Sequence, residues 1–196
     1  MPQVSSFTVE CWSLWPGFVG GSCRLMRVAI CGVFSMLTLA CSPVLDWRQA
    51  RPEGWGVVLL MPCRPDQHER QVPLSGHQVR LGMLVCEADG HTYALASALM
   101  ADPAQVGPAL LALAGATQAN LKGRSGPPLP AQVKGMTPRP EAGRWQVQGT
   151  LPDGRPVTAQ ALVFAHGMRV YQATVIGPRA DPARAQVFFE AIVLQP

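Results

Sequence analysis

Gln78-Val79-Arg80-Leu81-Gly82-Met83-Leu84-Val85-Cys86, continued through Ala88-Asp89-Gly90 to the run His91–Ser97, is the stretch on which the fold turns. Val79, Leu81, Met83 and Val85 recur at every second residue and share one face of an extended chain. Gln78, Arg80, Gly82, Leu84 and Cys86 point the other way. Asp89-Gly90 accepts the positive φ angles that a tight hairpin turn demands, so the run from His91, centred on Tyr93 and Leu95, reads as the returning strand. An antiparallel hairpin is predicted.

Moving outward, Val57-Val58-Leu59-Leu60-Met61 is a continuous apolar run stopped by Pro62, as expected of a buried strand. Downstream, Trp145 and Val147 alternate with Gln146 and Gln148, and Pro152-Asp153-Gly154 supplies a turn. The segment Val157 to Phe164 sets Thr158, Gln160, Leu162 and Phe164 against small residues, His166-Gly167 turns again, and Val170 to Ile176 returns. These three segments form a meander, on which Gln146, Gln148, Gln160 and Gln172 would give an exposed face that hydrogen-bonds.

Between hairpin and meander the period changes. Val106, Leu110, Leu113, Ala114, Thr117 and Leu121 form one helical stripe. Asp102-Pro103 is a start signal, and Pro108, costly in a helix interior at ~3 kcal/mol, fits if the helix proper begins there. Asp181-Pro182 caps a second helix that directs Ala185, Phe188, Phe189 and Ile192 at the sheet. Lys122 to Gly143, dense in proline and glycine, is expected to be a long and largely disordered loop.

The predicted class is therefore α+β, an antiparallel sheet covered by two helices. The order of elements from Trp55 to Leu194 and the terminal Phe188-Phe189 helix resemble the PsbP-like α/β sandwich. That resemblance implies a scaffold or accessory part and no particular chemistry.

The amino-terminal region carries an address. Val28 to Ala40 is apolar or small throughout, too short to cross a bilayer core but the length of a signal-peptide h-region, and Arg24 and Arg27 precede it. Leu37-Thr38-Leu39-Ala40-Cys41 resembles the lipobox of bacterial lipoproteins, with Thr38 in place of the commoner leucine three positions before the cysteine. The resemblance implies cleavage after Ala40, lipidation of Cys41 and a membrane anchor, and Ser42 after the cysteine implies sorting to the outer membrane, facing the periplasm. An uncleaved anchor or a plain secretory signal are the competing readings. Met26-Arg27 would open a compact signal peptide, which makes the preceding stretch an upstream extension or a part removed with the signal. The expected organisation is residues 1–40 as extension and signal peptide, 41–53 as a tether, and 54–196 as one globular domain.

Composition excludes two function classes. With 16 Lys+Arg against 12 Asp+Glu, and the basic residues spread singly, the net charge of +4 has no clustered basic footprint for nucleic acid. Hydrophobic residues at 48% exclude general disorder. No cofactor motif is present: Gly123-x-x-Gly126 lacks the strand and helix context of a phosphate loop, there is no Gly-x-Ser-x-Gly elbow, and Cys11 and Cys23 match no metal spacing. Asp66, Glu69, Glu87 and Asp89 read as turn or surface carboxylates, and His68, His77, His91 and His166 show no metal-site spacing. Export would place Cys63 and Cys86 in an oxidising compartment, where a Cys63–Cys86 disulfide is expected; two buried free thiols are the alternative. The function expected is a non-enzymatic envelope lipoprotein that binds a partner protein or a small ligand. A periplasmic thiol enzyme or redox protein using Cys63 or Cys86 is the competing class, although no Cys-x-x-Cys is present.

Overall fold

The computed structural model describes residues 45–195. The strands in chain order are β1 (Arg48–Ala50), β2 (Val57–Met61), β3 (Asp66–Leu74), β4 (His77–Ala88), β5 (His91–Leu99), β6 (Arg124–Ser125), β7 (Leu129–Pro130), β8 (Gly143–Thr150), β9 (Pro156–His166), β10 (Arg169–Gly177) and β11 (Val193–Leu194). The helices are α1 (Val106–Asn120), entered through a 3-10 turn over Pro103–Gln105, and α2 (Pro182–Glu190). An eight-stranded antiparallel sheet runs in the order β3-β4-β5-β10-β9-β8-β6, with β7 also on β8. A second sheet of three strands has the order β1-β2-β11.

The hairpin and the meander form as their alternation predicts. Asp89 and Gly90 adopt φ of 50° and 68° between β4 and β5, and β10 joins the two motifs by pairing with β5 from Arg169↔Leu99 to Ile176↔Thr92. Strand β9 is buried along nearly its whole length, because the large sheet is covered on both faces. Ala98, Val163, Ala165 and Val170 pack under Val106, Ala109, Leu110 and Leu113 of α1. On the opposite face, Tyr93, Leu95, Leu162, Phe164 and Tyr171 pack against Phe188 and Phe189 of α2 and against Val57, Leu59 and Met61 of the small sheet. Pro108 falls in the first turn of α1, where its missing N–H had no intrahelical partner to lose.

This arrangement corrects the predicted α+β sandwich of an antiparallel sheet covered by two helices. Strands hold 49% of the described residues and helices 18%, and the nine residues of α2 cannot blanket an eight-stranded sheet. The small sheet does the rest of the covering. The added strand content comes from β3, whose side chains are nearly all exposed and so carry no apolar alternation, and from strands of two or three residues that only their pairing partners specify.

The segment from Lys122 to Gly143 is ordered, contrary to expectation. β6 and β7 pair with β8, Val133 is buried, the Thr137 N–H donates to the Ala165 carbonyl at 2.8 Å, and the Leu194 N–H donates to the Lys134 carbonyl at 3.2 Å. Upstream, Trp47 packs against the core and meets Tyr93 edge-on.

Candidate functional site

Of the residues singled out from the sequence, Cys41 and the signal-peptide stretch Val28 to Ala40 lie outside the described residues. Cys63 and Cys86 form a disulfide with Cα atoms 5.9 Å apart. Cys63 follows β2 and Cys86 belongs to β4, so the bond staples the small sheet to the large one, with Cys86 inside the core and Cys63 against its edge. The His91 Nδ1 lies 2.8 Å from the Asp89 carbonyl and the His166 Nδ1 2.8 Å from the Gly135 carbonyl. Among the described residues no group of three or more His, Cys, Asp and Glu is placed to hold a metal ion, and no helix is long and apolar enough to cross a membrane.

Two arginines organise the polar chemistry. Arg184, near the start of α2, uses all three of its guanidinium nitrogens. Its Nε donates to Asp181 Oδ2 at 3.0 Å, its Nη1 to the Tyr93 hydroxyl at 3.2 Å and its Nη2 to Asp89 Oδ2 at 2.6 Å, while its backbone N–H donates to Asp181 Oδ1 at 2.9 Å. Asp181 is thereby the helix N-cap and Asp89 the hairpin turn, so one guanidinium ties the β4–β5 turn to α2. The hydrogen bonds from Arg184, its backbone N–H first, hold the Asp181 carboxyl below the usual range. Burial pushes the Tyr93 phenol up, and the Arg184 contact partly offsets that. The hydrogen bond to Tyr93, followed by that to Asp181, raises the Arg184 guanidinium. Each guanidinium nitrogen of Arg184 and each of the two aspartates is engaged within the cluster, which makes it a clasp.

Arg144 is arranged differently. The period of β8 sets Arg144, Gln146 and Gln148 on one face, and register places Arg144 opposite Leu162 and Gln146 opposite Gln160. Beyond the reach of the apolar core, this face becomes a network of amides. Gln160 Nε2 donates to Gln146 Oε1 at 2.8 Å, Arg144 Nε to Gln160 Oε1 at 3.3 Å, and Arg144 Nη1 to Gln186 Oε1 of α2 at 2.6 Å. The guanidinium lies over the Phe189 ring, 5.0 Å from its centroid. Partial burial alone pulls its pKa below the usual guanidinium value, and no carboxylate lies within ion-pair distance of it among the described residues. These groups floor a groove of about 630 Å³ whose apolar walls include Pro127, Leu129 and Pro182.

The glutamines expected on one exposed face are divided. Gln146, Gln148 and Gln160 share the groove face, and Gln160 is only 6% exposed. Gln172 lies on the opposite face, beneath α1, where its Nε2 donates to the Leu113 carbonyl at 2.8 Å and to Thr117 Oγ1 at 2.7 Å. Sequence reading missed Arg144 and Gln186. The period-two spacing of Arg144 with Gln146 and Gln148 could have found the first; Gln186 reaches the groove only through the packing of α2.

No protein family's sequence profile and no curated protein sequence matches this chain.

Proposed function

We propose that the protein is a bacterial envelope lipoprotein, anchored through acylated Cys41 in the outer membrane with its folded domain in the periplasm, and that the domain binds a ligand without transforming it. The observation that carries the binding reading is the contrast between the two arginine clusters. The ionisable groups with perturbed titration at the α2 clasp are bound to one another, whereas the groove offers guanidinium and amide groups, which recognise ligands but supply neither a nucleophile nor a proton at neutral pH. The Cys63–Cys86 bond supports export to an oxidising compartment, and its seat in the core supports a structural bond over thiol exchange.

Metabolic labelling with a palmitate analogue tests the anchor. The wild type is expected to take the label and to fractionate with outer membranes until detergent is added, because several acyl chains resist release by salt where one would not. A Cys41→Ser variant should lose both properties. Label retained in that variant would overturn the proposal.

A further inference from the structure

The Arg144 groove combines three properties that define a ligand class. The first is an uncompensated positive charge. Arg144 is half-buried, and its two described side-chain hydrogen bonds go to neutral amide oxygens of Gln160 and Gln186. Taking a charge out of water without a counter-charge is costly, and the one carboxylate near this network, Glu190, reaches it only as the acceptor for Gln186 Nε2 at 2.6 Å. The second is directed donor capacity. Among the described residues Arg144 Nη2 has no hydrogen-bond partner, and neither has Gln146 Nε2, whose own oxygen is fixed by Gln160. Two donors from rigid strand positions therefore remain open in the groove. The third is an apolar wall: Leu129, 60% exposed, stands at the groove with Pro127 and Pro182, and a large side chain left in water beside a polar floor suits a ligand with an apolar body.

We propose that this groove is the binding site for a small organic acid, whose carboxylate is held by Arg144 and Gln146 while its apolar body lies against Leu129, Pro127 and Pro182. The inference rests on the reading of the domain as a binding module and names its ligand class. A charge-assisted hydrogen bond from a guanidinium outweighs a neutral one, so the acid should be preferred over its own amide. The groove's volume of about 630 Å³ is within the range of sites for small molecules of this kind.

The test uses the full chain in non-ionic detergent and three probes: 3-phenylpropanoate, 3-phenylpropanamide and inorganic phosphate. Binding is followed by calorimetry. The acid is expected to bind at least tenfold more tightly than the amide and than phosphate. Arg144→Met should lower affinity for the acid at least tenfold, and Gln146→Leu, which leaves the Arg144 contacts with Gln186 and Phe189 in place, about fivefold. Equal binding of acid and amide, phosphate as good as the acid, no binding of the acid, or unchanged affinity in a folded Gln146→Leu variant would each overturn the assignment. Palmitate labelling and membrane fractionation of Arg144→Met are expected to match the wild type, which separates failure of the ligand assignment from failure of the envelope reading.

Discussion

Breaking the Cys63–Cys86 bond should cost the domain about 3 kcal/mol. The half-cystines are 23 residues apart, and in the chain-entropy treatment a cross-link of that span removes denatured-state freedom worth about 3 kcal/mol at 25 °C. For a domain of this size that corresponds to a fall in Tm of about 6–12 °C. Two perturbations should agree. Reducing the wild type under native conditions removes the bond without removing an atom of packing, and the Cys63→Ala/Cys86→Ala variant removes the sulfurs as well, adding a small cavity beside Leu84 and Tyr93 in the core. Urea denaturation read by far-UV circular dichroism, with and without reductant, gives both free energies. The variant should be the less stable of the two and should no longer respond to reductant. If reduction shifts the wild type by less than about 1 kcal/mol, the staple between the sheets does not constrain the unfolded chain as argued.

Gly82 lies beneath the Trp55 ring, where an added Cβ would come within 2.3 Å of Trp55 Cζ2, so Gly82→Ala should destabilise by about 1–3 kcal/mol through overpacking; denaturant midpoints unchanged from the wild type would contradict this. The Tyr171 hydroxyl donates to the Trp55 carbonyl in the core, so Tyr171→Phe should cost about 1–3 kcal/mol by leaving that carbonyl unpaired. Burial also pushes the Tyr171 phenol up to about 12. The unfolded chain therefore ionises first as pH rises past 10, and the stability present below pH 10 is lost as pH climbs to about 12, by about 2–3 kcal/mol for this residue. The Phe variant should show a shallower alkaline decline in urea midpoints, with Tyr93 supplying part of what remains; identical slopes would show that Tyr171 does not govern it.

The parts of the fold legible in the sequence are those whose neighbours are close in the chain. Val79 to Cys86 reads as a strand because β4 packs on both faces, Leu84 and Cys86 on one and Val79 on the other, Asp89-Gly90 sits where the hairpin must reverse, and both Asp-Pro pairs mark the helix starts they predict, with Asp102 and Asp181 each capping a backbone N–H. What could not be read depends on distant partners. β3 is a charged edge strand, a composition that discourages further strand pairing but hides the strand from any search for apolar rhythm. The segment from Lys122 to Gly143 has few apolar residues of its own and is ordered by hydrogen bonds to Ala165, Gln146 and Leu194. At the groove, the amide-rich face was visible in Gln146 and Gln160, whereas Gln172 was placed on that face wrongly. Its strand is covered on both sides, and a glutamine that serves a helix carbonyl looks the same in sequence as one that serves water.

The pairing of β2 with β11 joins Val57 and Val58 to Leu194 and Val193, contacts that span almost the whole domain. Pairings so distant in sequence are slow to form, since the intervening chain must first be brought into register. The large sheet can assemble from hairpin and meander, yet its face carrying Tyr93, Phe164 and Tyr171 stays uncovered until α2 and β11 arrive. β11 is thus the closing piece of the domain. Until that piece is in place, the aromatic face is open to other chains and the tight native state is withheld.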